Sequence, residues 1–508
     1  MFKMGTMSKK NAFSLWLSCV TIFLVLEQAS VESADATQRV QRLPGQPPVR
    51  FEQYAGYVIV NEEKGRAIFY WFIEADHKKA ATMPVSFWFN GGPGCSSIGA
   101  GAMSELGPFY NKNEPGESGL VRNKHAWNKA SNIVFVDSPA GVGYSYSNTS
   151  ADYNYLDDEL TAVDALAFLV GWFAKFPEYQ NNEVYLLGES YAGHYAPNLA
   201  SKILIHNENL GKLDINLKGF LIGNPWTDSY YDNKGAVDFW YHHSLISDET
   251  YNEIQRSCDY RLEPAVGFSS SAACRNAANH ASNLEMAEID AYNIYAGNCN
   301  SASVNDSALV KRTRPSFFLG LKDSNFCGPD TTTPYLNLPE VKAALHARPG
   351  IKWTECSLQI NSQYSVASVV ESMLPVYRYL LTKGLKIWIY RYYILTISSN
   401  LLEHSFSMHC VGFRRKDGDD GGLCCSGDID GVVPTTGTRY WLRQLDLIVE
   451  VPWYPWNHST QVGGWTQVYK GLTFVTVRDA GHMVPADKPS QALQVFRRFL
   501  IGKPLPSF

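Results

Sequence analysis

The apolar run VYLL meets the turn GESYAG, and PNLASKIL follows with helical spacing, all within residues 184–204. Strand, sharp bend, helix is the setting of a nucleophile elbow, with Ser190 at the apex of a G-x-S-x-G bend. Alone, this pattern arises by chance in long chains, and its serine is then an ordinary turn residue. Whether Ser190 acts as a nucleophile depends on what the rest of the chain supplies.

Strand signals recur along the chain. YAGYVIVNEE and AIFYWFIEA flank Gly65 and predict a hairpin. PVSFWFNGG, SNIVFVDSP and LKGFLIGNP read as further strands, and DDELTAVDALAFLVGWFAKF as a helix with acidic residues in its first turn. Alternation resumes with LPEVKAALH, SVASVVESMLPVYRYLLTK and GLKIWIY, and closes with LTFVTVRDAGH and the helix PSQALQVFRRFL. Such alternation predicts an α/β fold with a mostly parallel central sheet and helices on both faces. Residues 226–329 differ: they hold Cys258, Cys274, Cys299 and Cys327 with many Asn and Ser, and read as an inserted, disulfide-stapled cap. The expected organisation is a signal peptide at 1–34, core at 35–225, cap at 226–329 and core again at 330–508.

The signal peptide rests on Lys9 and Lys10, then an apolar stretch at residues 12–26, then small and polar residues, with cleavage expected between Ala29 and Ala34. The stretch is short for a bilayer span, and no later run is long enough, so no membrane association is expected after its removal. A secreted chain oxidises its cysteines, and Cys19 of the ten leaves with the signal. Sequons at Asn148, Asn305 and Asn457 agree with secretion. The net charge is −5 with no basic stripe, which argues against a nucleic-acid partner. No metal-ligand cluster or nucleotide loop stands out, so no cofactor is expected.

A serine hydroxyl needs a base and an orienting acid. SGDIDGVVP offers Asp428 and Asp430; VRDAGHMVP offers His482, just past the strand LTFVTV. The order Ser, Asp, His is that of an α/β-hydrolase. A lone histidine in a turn is usually a surface residue and a lone Asp before Gly a turn former, but three such residues past strand ends, in this order, weigh against those readings. The spacing from Gly427 and to Pro434 selects Asp430, leaving Asp428 to shape the turn. Oxyanion donors are expected from the Tyr191 N–H and from the glycine turn FNGGPGCSS, at Gly92.

Together, WFNGGPGCSS, DSPAGVGYSYSNTS, GESYAGHYAP, SGDIDGVVP and AGHMVP make the chain resemble the serine carboxypeptidases, in particular the plant carboxypeptidase-like group, from about RLPGQPPVRF to the C-terminal helix. The resemblance implies an α/β-hydrolase fold and removal of single residues from peptide and protein C-termini. It implies Ser190 as nucleophile, His482 as general base and then acid, Asp430 as orienting acid, and Gly92 and Tyr191 as oxyanion hole. It also implies that Asn90, the Gly91 N–H and Glu189, assisted by Glu105, bind the substrate's terminal carboxylate, and that Met483 borders the leaving-residue pocket. The disulfides implied are Cys95–Cys356, Cys258–Cys274 and Cys299–Cys327. A vacuolar or extracellular location is implied, and a homodimer is compatible. Two protein carboxyls beside a substrate carboxylate cannot all be ionised, so Glu189 is expected to hold its proton unusually well and peptide cleavage to favour acid.

The chain departs from the family at RYYILTISSNLLEHSFSMHCVGFRRKDGDDGGLCC, residues 391–425, where relatives run from GLKIWIY straight into SGD. The stretch adds Cys410, Cys424 and Cys425 and separates the strand from Asp430. It reads either as a long surface loop or as a retained intron. Codons for a segment beginning GTAT and ending TGCAG fit, and its removal restores IWIYSGDIDGVVP in frame. Rival activities are an acyltransferase using acyl-glucose esters, which the same triad serves, and a non-catalytic binding protein whose triad the stretch has disabled. A generic lipase lacks support, since nothing suggests an apolar lid. Residues 301–324 look exposed, as a linker open to excision would be.

Overall fold

The computed structural model describes residues 36–111, 119–268, 271–296, 330–392 and 429–508. The segment 1–34, Asp428, Asn305, Cys299, Cys327, Cys410, Cys424, Cys425 and residues 301–324 lie outside them.

Ten strands make one sheet: β1 (Gln53–Asn61), β2 (Arg66–Ile73), β3 (Val85–Phe89), β4 (Asn132–Asp137), β5 (Val184–Glu189), β6 (Leu217–Gly223), β7 (Lys386–Tyr392), β8 (Val449–His458), β9 (Gln461–Tyr469) and β10 (Leu472–Val477). Their order is β1-β2-β4-β3-β5-β6-β7-β10-β9-β8. The central strands β4, β3, β5, β6, β7 and β10 run parallel, and antiparallel hairpins close both edges. This is the α/β-hydrolase architecture, a mostly parallel sheet with helices on both faces.

Alternation along each strand divides the core in two. Trp71, Trp88, Phe135, Leu187, Leu221, Trp388 and Val475 face one layer, where the helix Pro489–Ile501 contributes Phe496 and Phe499. Phe72, Phe87, Val134, Leu186, Phe220, Ile389 and Phe474 face the other, beneath Asp158–Lys175, Ala192–Leu210, Leu374–Thr382 and Thr435–Gln444. Strands buried on both faces must be apolar at every position, which is why VYLL and KIWIY show no polar alternation. Trp127 stacks on Phe496 at 4.3 Å and seals the first layer. Asp157 caps the helix Asp158–Lys175 by accepting from the Leu160 N–H at 2.7 Å, a contact worth about 1 kcal/mol.

The predicted strands and the Gly65 hairpin are present, with Gly65 at φ 63°. Three local readings change. The helix after Ser190 begins at Ala192 and carries Pro197 inside it. SVASVVESMLPVYRYLLTK is two helices, Val366–Val370 and Leu374–Thr382, broken where Glu371 turns extended. The β8–β9 hairpin was not anticipated; β8 is a mostly exposed edge strand interrupted by Pro452 and Pro455, where alternation is weak and proline is tolerated.

From the 226–329 stretch, the helices Ser229–His242, Asp248–Ser257 and Ala272–His280 are described, with Cys258 bonded to Cys274. Arg391 is not a surface-loop residue. It pairs with Thr476 in the sheet, is fully buried, and its guanidinium donates to the carbonyls of Val433, Pro434 and Pro225. Among the described residues, no helix is long and apolar enough to cross a membrane.

Candidate active site

The parallel strands end together. Phe89 lies opposite Gly188, Glu189 opposite Gly223, and Gly223 opposite Tyr390. The residues that follow these ends are therefore neighbours, and ligands of open α/β sheets bind at such carboxyl ends.

Ser190 stands at the end of β5 with φ 60°, a left-handed conformation that costs a non-glycine residue about 1–3 kcal/mol. Three main-chain bonds hold it there. Its N–H donates to Gly223 O, and its carbonyl accepts from Gly193 and Trp226 N–H, all at 2.9 Å. A side chain at Gly193 would lie 2.2 Å from Trp226 O, so only glycine lets the new helix pack this closely. Below the bend, Tyr191 is buried, stacked on His194 at 4.6 Å. Asp158 accepts from Tyr191 OH at 3.1 Å and Tyr364 OH at 2.7 Å, and pairs with His194 Nδ1 at 2.8 Å.

The glycine turn after β3 abuts this bend. A Cβ on Gly91 would fall 2.4 Å from Tyr191 N and 2.9 Å from Ser190 Cβ, so the segments bearing Gly92 and Tyr191 are in contact. The Cys95–Cys356 disulfide ties the turn down, aided by Ser96 N–H to Glu355 O at 2.7 Å and Asn361 Nδ2 to Pro93 O at 3.0 Å. Buried Asp137 accepts from Ser96 Oγ at 2.7 Å.

Asp430 and His482 meet although they come from different loops. Asp430 Oδ2 pairs with His482 Nδ1 at 2.8 Å and accepts from Asn224 Nδ2 at 2.6 Å. Its Oδ1 accepts from Val432 and Val433 N–H at 2.9 and 3.0 Å. Burial pushes this carboxyl up, but His482, the Val433 N–H and Asn224 outweigh burial and hold it below the ordinary aspartate range. An ionised Asp430 only accepts, so the imidazole proton sits on Nδ1. Nε2 is buried without a hydrogen-bond partner and carries the lone pair that can take a proton. Gly223, which accepts from Ser190, precedes Asn224, so hydrogen bonds run from the elbow through Asn224 to Asp430 and His482.

Asn90, Glu105 and Glu189 form a buried cluster beside the elbow. Asn90 Nδ2 donates to Glu189 Oε1 at 3.0 Å and reaches Glu105 Oε1 at 3.5 Å, while Trp88 Nε1 orients the Asn90 amide at 2.6 Å. Burial raises Glu105 to about 7. Burial, then the charge of Glu105, raises Glu189 well above the carboxylate range. Such a pair holds protons at acid pH and can donate to a third carboxylate. Met483 follows His482, half-buried, at the head of the turn Val484–Asp487.

Asn148 is exposed and Asn457 half-buried; both are in the described fold. Sequence reasoning missed Asn224, which holds Asp430, and residues 291–294, which touch both catalytic-type loops. The only local signal for Asn224 was the turn dipeptide Asn-Pro after β6.

These buried acids make stability pH-dependent. Asp137 and Asp232 are raised to about 6 by burial, alongside Glu105 and Glu189. A raised folded pKa means the folded state binds more protons, so this contribution is lost as pH rises through the folded values. His125 and His243, lowered chiefly by burial, act oppositely, but they are fewer. Asp158 and Asp430, held low, matter only below about pH 4. The melting temperature is therefore expected to be higher near about pH 5 than near about pH 8. Thermal melts at constant ionic strength check this, and a higher value at the alkaline end contradicts it.

Comparison with known proteins identifies the family. The serine carboxypeptidase family model matches residues 44–395 and 422–502. The chain is 44% identical over 481 residues to serine carboxypeptidase 24 of Arabidopsis thaliana, covering 92% of this chain and 93% of that protein. It is 41% identical to serine carboxypeptidase-like 25 of the same plant, covering 94% and 93%. The crystal structure of Kex1(delta)p, a prohormone-processing carboxypeptidase from Saccharomyces cerevisiae, superposes with a TM-score of 0.70 at 21% identity, covering 93% and 97%, and so shares the fold.

Proposed function

The chain belongs to the serine carboxypeptidase family and is a serine-type carboxypeptidase hydrolase; on that premise we propose that it releases single C-terminal residues from peptides, through an acyl-enzyme, at acid pH. Ser190 Oγ attacks the last peptide carbonyl while His482 Nε2 takes its proton. Asp430 keeps the imidazole in the required tautomer and stabilises its cationic form. The Gly92 and Tyr191 N–H groups receive the oxyanion. His482 then returns the proton to the departing amino acid, and water repeats the sequence to free the acyl group. Asn90, the Gly91 N–H, Glu189 and Glu105 receive the terminal carboxylate, and Met483 borders the leaving residue.

The observation that carries this reading is the Asn90–Glu189–Glu105 cluster, buried next to the elbow and proton-retaining. It suits a free C-terminal carboxylate and has no evident use for a sugar ester. An N-blocked dipeptide should be trimmed in acid and its C-terminal amide much more slowly. Faster turnover of an acyl-glucose ester than of the dipeptide would favour the acyltransferase instead. The N-terminal segment supports passage through the secretory pathway, to the vacuole or the extracellular space.

The stretch 391–425 is, in this proposal, a retained intron. The family model leaves 396–421 unmatched, which agrees with an insertion inside this stretch. Sequencing transcripts across 390–426 tests the idea; a dominant message that keeps the segment and yields active protein defeats it.

A further inference from the structure

Ser190 stands at the end of β5, whereas Asp430 stands in a loop outside the strands. Contacts to that loop, Asn224 among them, must hold it against His482, because an orienting acid works only in register with its imidazole.

Residues 291–294 cross both loops. On the Asp430 side they bond to the residue before and the residue after it: Ile294 N–H donates to Ile429 O at 2.9 Å, and Gly431 N–H donates to Ala291 O at 2.8 Å. On the other side, His482 N–H donates to Tyr292 O at 2.8 Å, and the Tyr292 ring meets the imidazole edge-on at 4.9 Å. Asp487 Oδ2 accepts from Gly481 N–H at 2.5 Å and from Asn293 Nδ2 at 3.2 Å, tying the residue before His482 to the same run. Both loops carry glycine where the run passes. A Cβ on Gly431 would lie 3.1 Å from Ala291 O, and one on Gly481 would lie 2.4 Å from Tyr292 O.

We propose that residues 291–294 are a positioning strap that sets the Asp430–His482 pair in register, so that part of the triad's geometry is supplied from the stretch between β6 and β7 and not from the sheet. The strap bonds to both loops mainly through main-chain atoms. Asn293 adds a side-chain hydrogen bond to the His482 loop through Asp487, beside the Tyr292 ring contact. This rests on the triad roles proposed above and adds what holds two of those residues together.

The test uses the full chain with Asn293→Ala, Gly431→Ala and Ile294→Pro. Three quantities are read: the rate of Ser190 labelling by a fluorophosphonate, kcat and KM for the blocked dipeptide, and the melting temperature. Misplacing the imidazole by about 1 Å should lower kcat and the labelling rate by about 10²-fold in Gly431→Ala, and by about tenfold in Asn293→Ala, with KM within about twofold of wild type. Asn293→Ala, which removes only one partly buried amide, should melt with the wild type. If Ile294→Pro fails to fold, the other two variants still decide. Labelling of both at the wild-type rate overturns the strap, as does a loss of kcat that follows only the melting temperature. A wild type that is labelled but trims no peptide defeats the carboxypeptidase reading while the strap stays testable by labelling; a wild type inert to the label defeats both.

Discussion

Ser190→Ala is expected to lower peptide trimming by about 10⁶-fold in kcat, and Asp430→Asn by about 10⁴-fold, with little change in KM. The first removes the attacking oxygen. The second leaves a side chain of the same shape whose amide can donate to Nδ1 as well as accept, so the imidazole adopts the wrong tautomer. Asp430 is fully buried and accepts from Asn224, Val432 and Val433 besides pairing with His482. The asparagine keeps one oxygen for the Val432 and Val433 N–H groups, and a flip of the Asn224 amide presents its otherwise unpartnered Oδ1 to the new N–H, so the fold should survive and the loss should be one of chemistry. Single-turnover assays with matched melting curves check this. Ser190→Ala trimming within tenfold of wild type would remove Ser190 from the mechanism.

KM for a free-acid peptide is expected to rise about tenfold per pH unit once the Glu105–Glu189 pair loses its last shared proton, above about neutral pH. Glu105 stands near about 7 and Glu189 well above the carboxylate range, with burial the first cause for both. On the proposed reading the pair donates to the substrate carboxylate below that range, and above it the charges repel. An ester lacking a free carboxylate should show no such rise. Glu189→Gln supplies a donor at every pH and should flatten the profile, binding peptide better than wild type in alkali. Inhibition constants of a C-terminal product amino acid, measured across pH for both proteins, read this directly. A wild-type profile as flat as that of the variant would remove the carboxyl pair from substrate binding.

Much of the site is local in origin. VYLL followed by GESYAG announces a strand, a strained bend and a helix, and the structure realises them with Ser190 at φ 60°. The glycine turn after PVSFWF, the AGH turn after LTFVTV and the Gly65 hairpin are equally legible, because turn chemistry is written in adjacent residues. Asn224 was not legible, since its function depends on β6 lying beside β7 and on Asp430 arriving from far along the chain. The burial of Arg391 was not legible for the same reason. It opens an atypical stretch, yet its place in the sheet buries it and aims its guanidinium at three carbonyls.

By itself, then, the order of residues determined most of the segments that become strands, which bends are sharp, and which hydroxyl, imidazole and carboxyl could do chemistry, for these follow from period, glycine placement and side-chain type. Only the folded chain decided how Asn90, Glu105 and Glu189 bond to one another, that burial raises Glu105 as well as Glu189, and that residues 291–294 span two loops. The reason is physical: burial and main-chain contacts between distant segments arise from sheet register and packing, which no local spacing records.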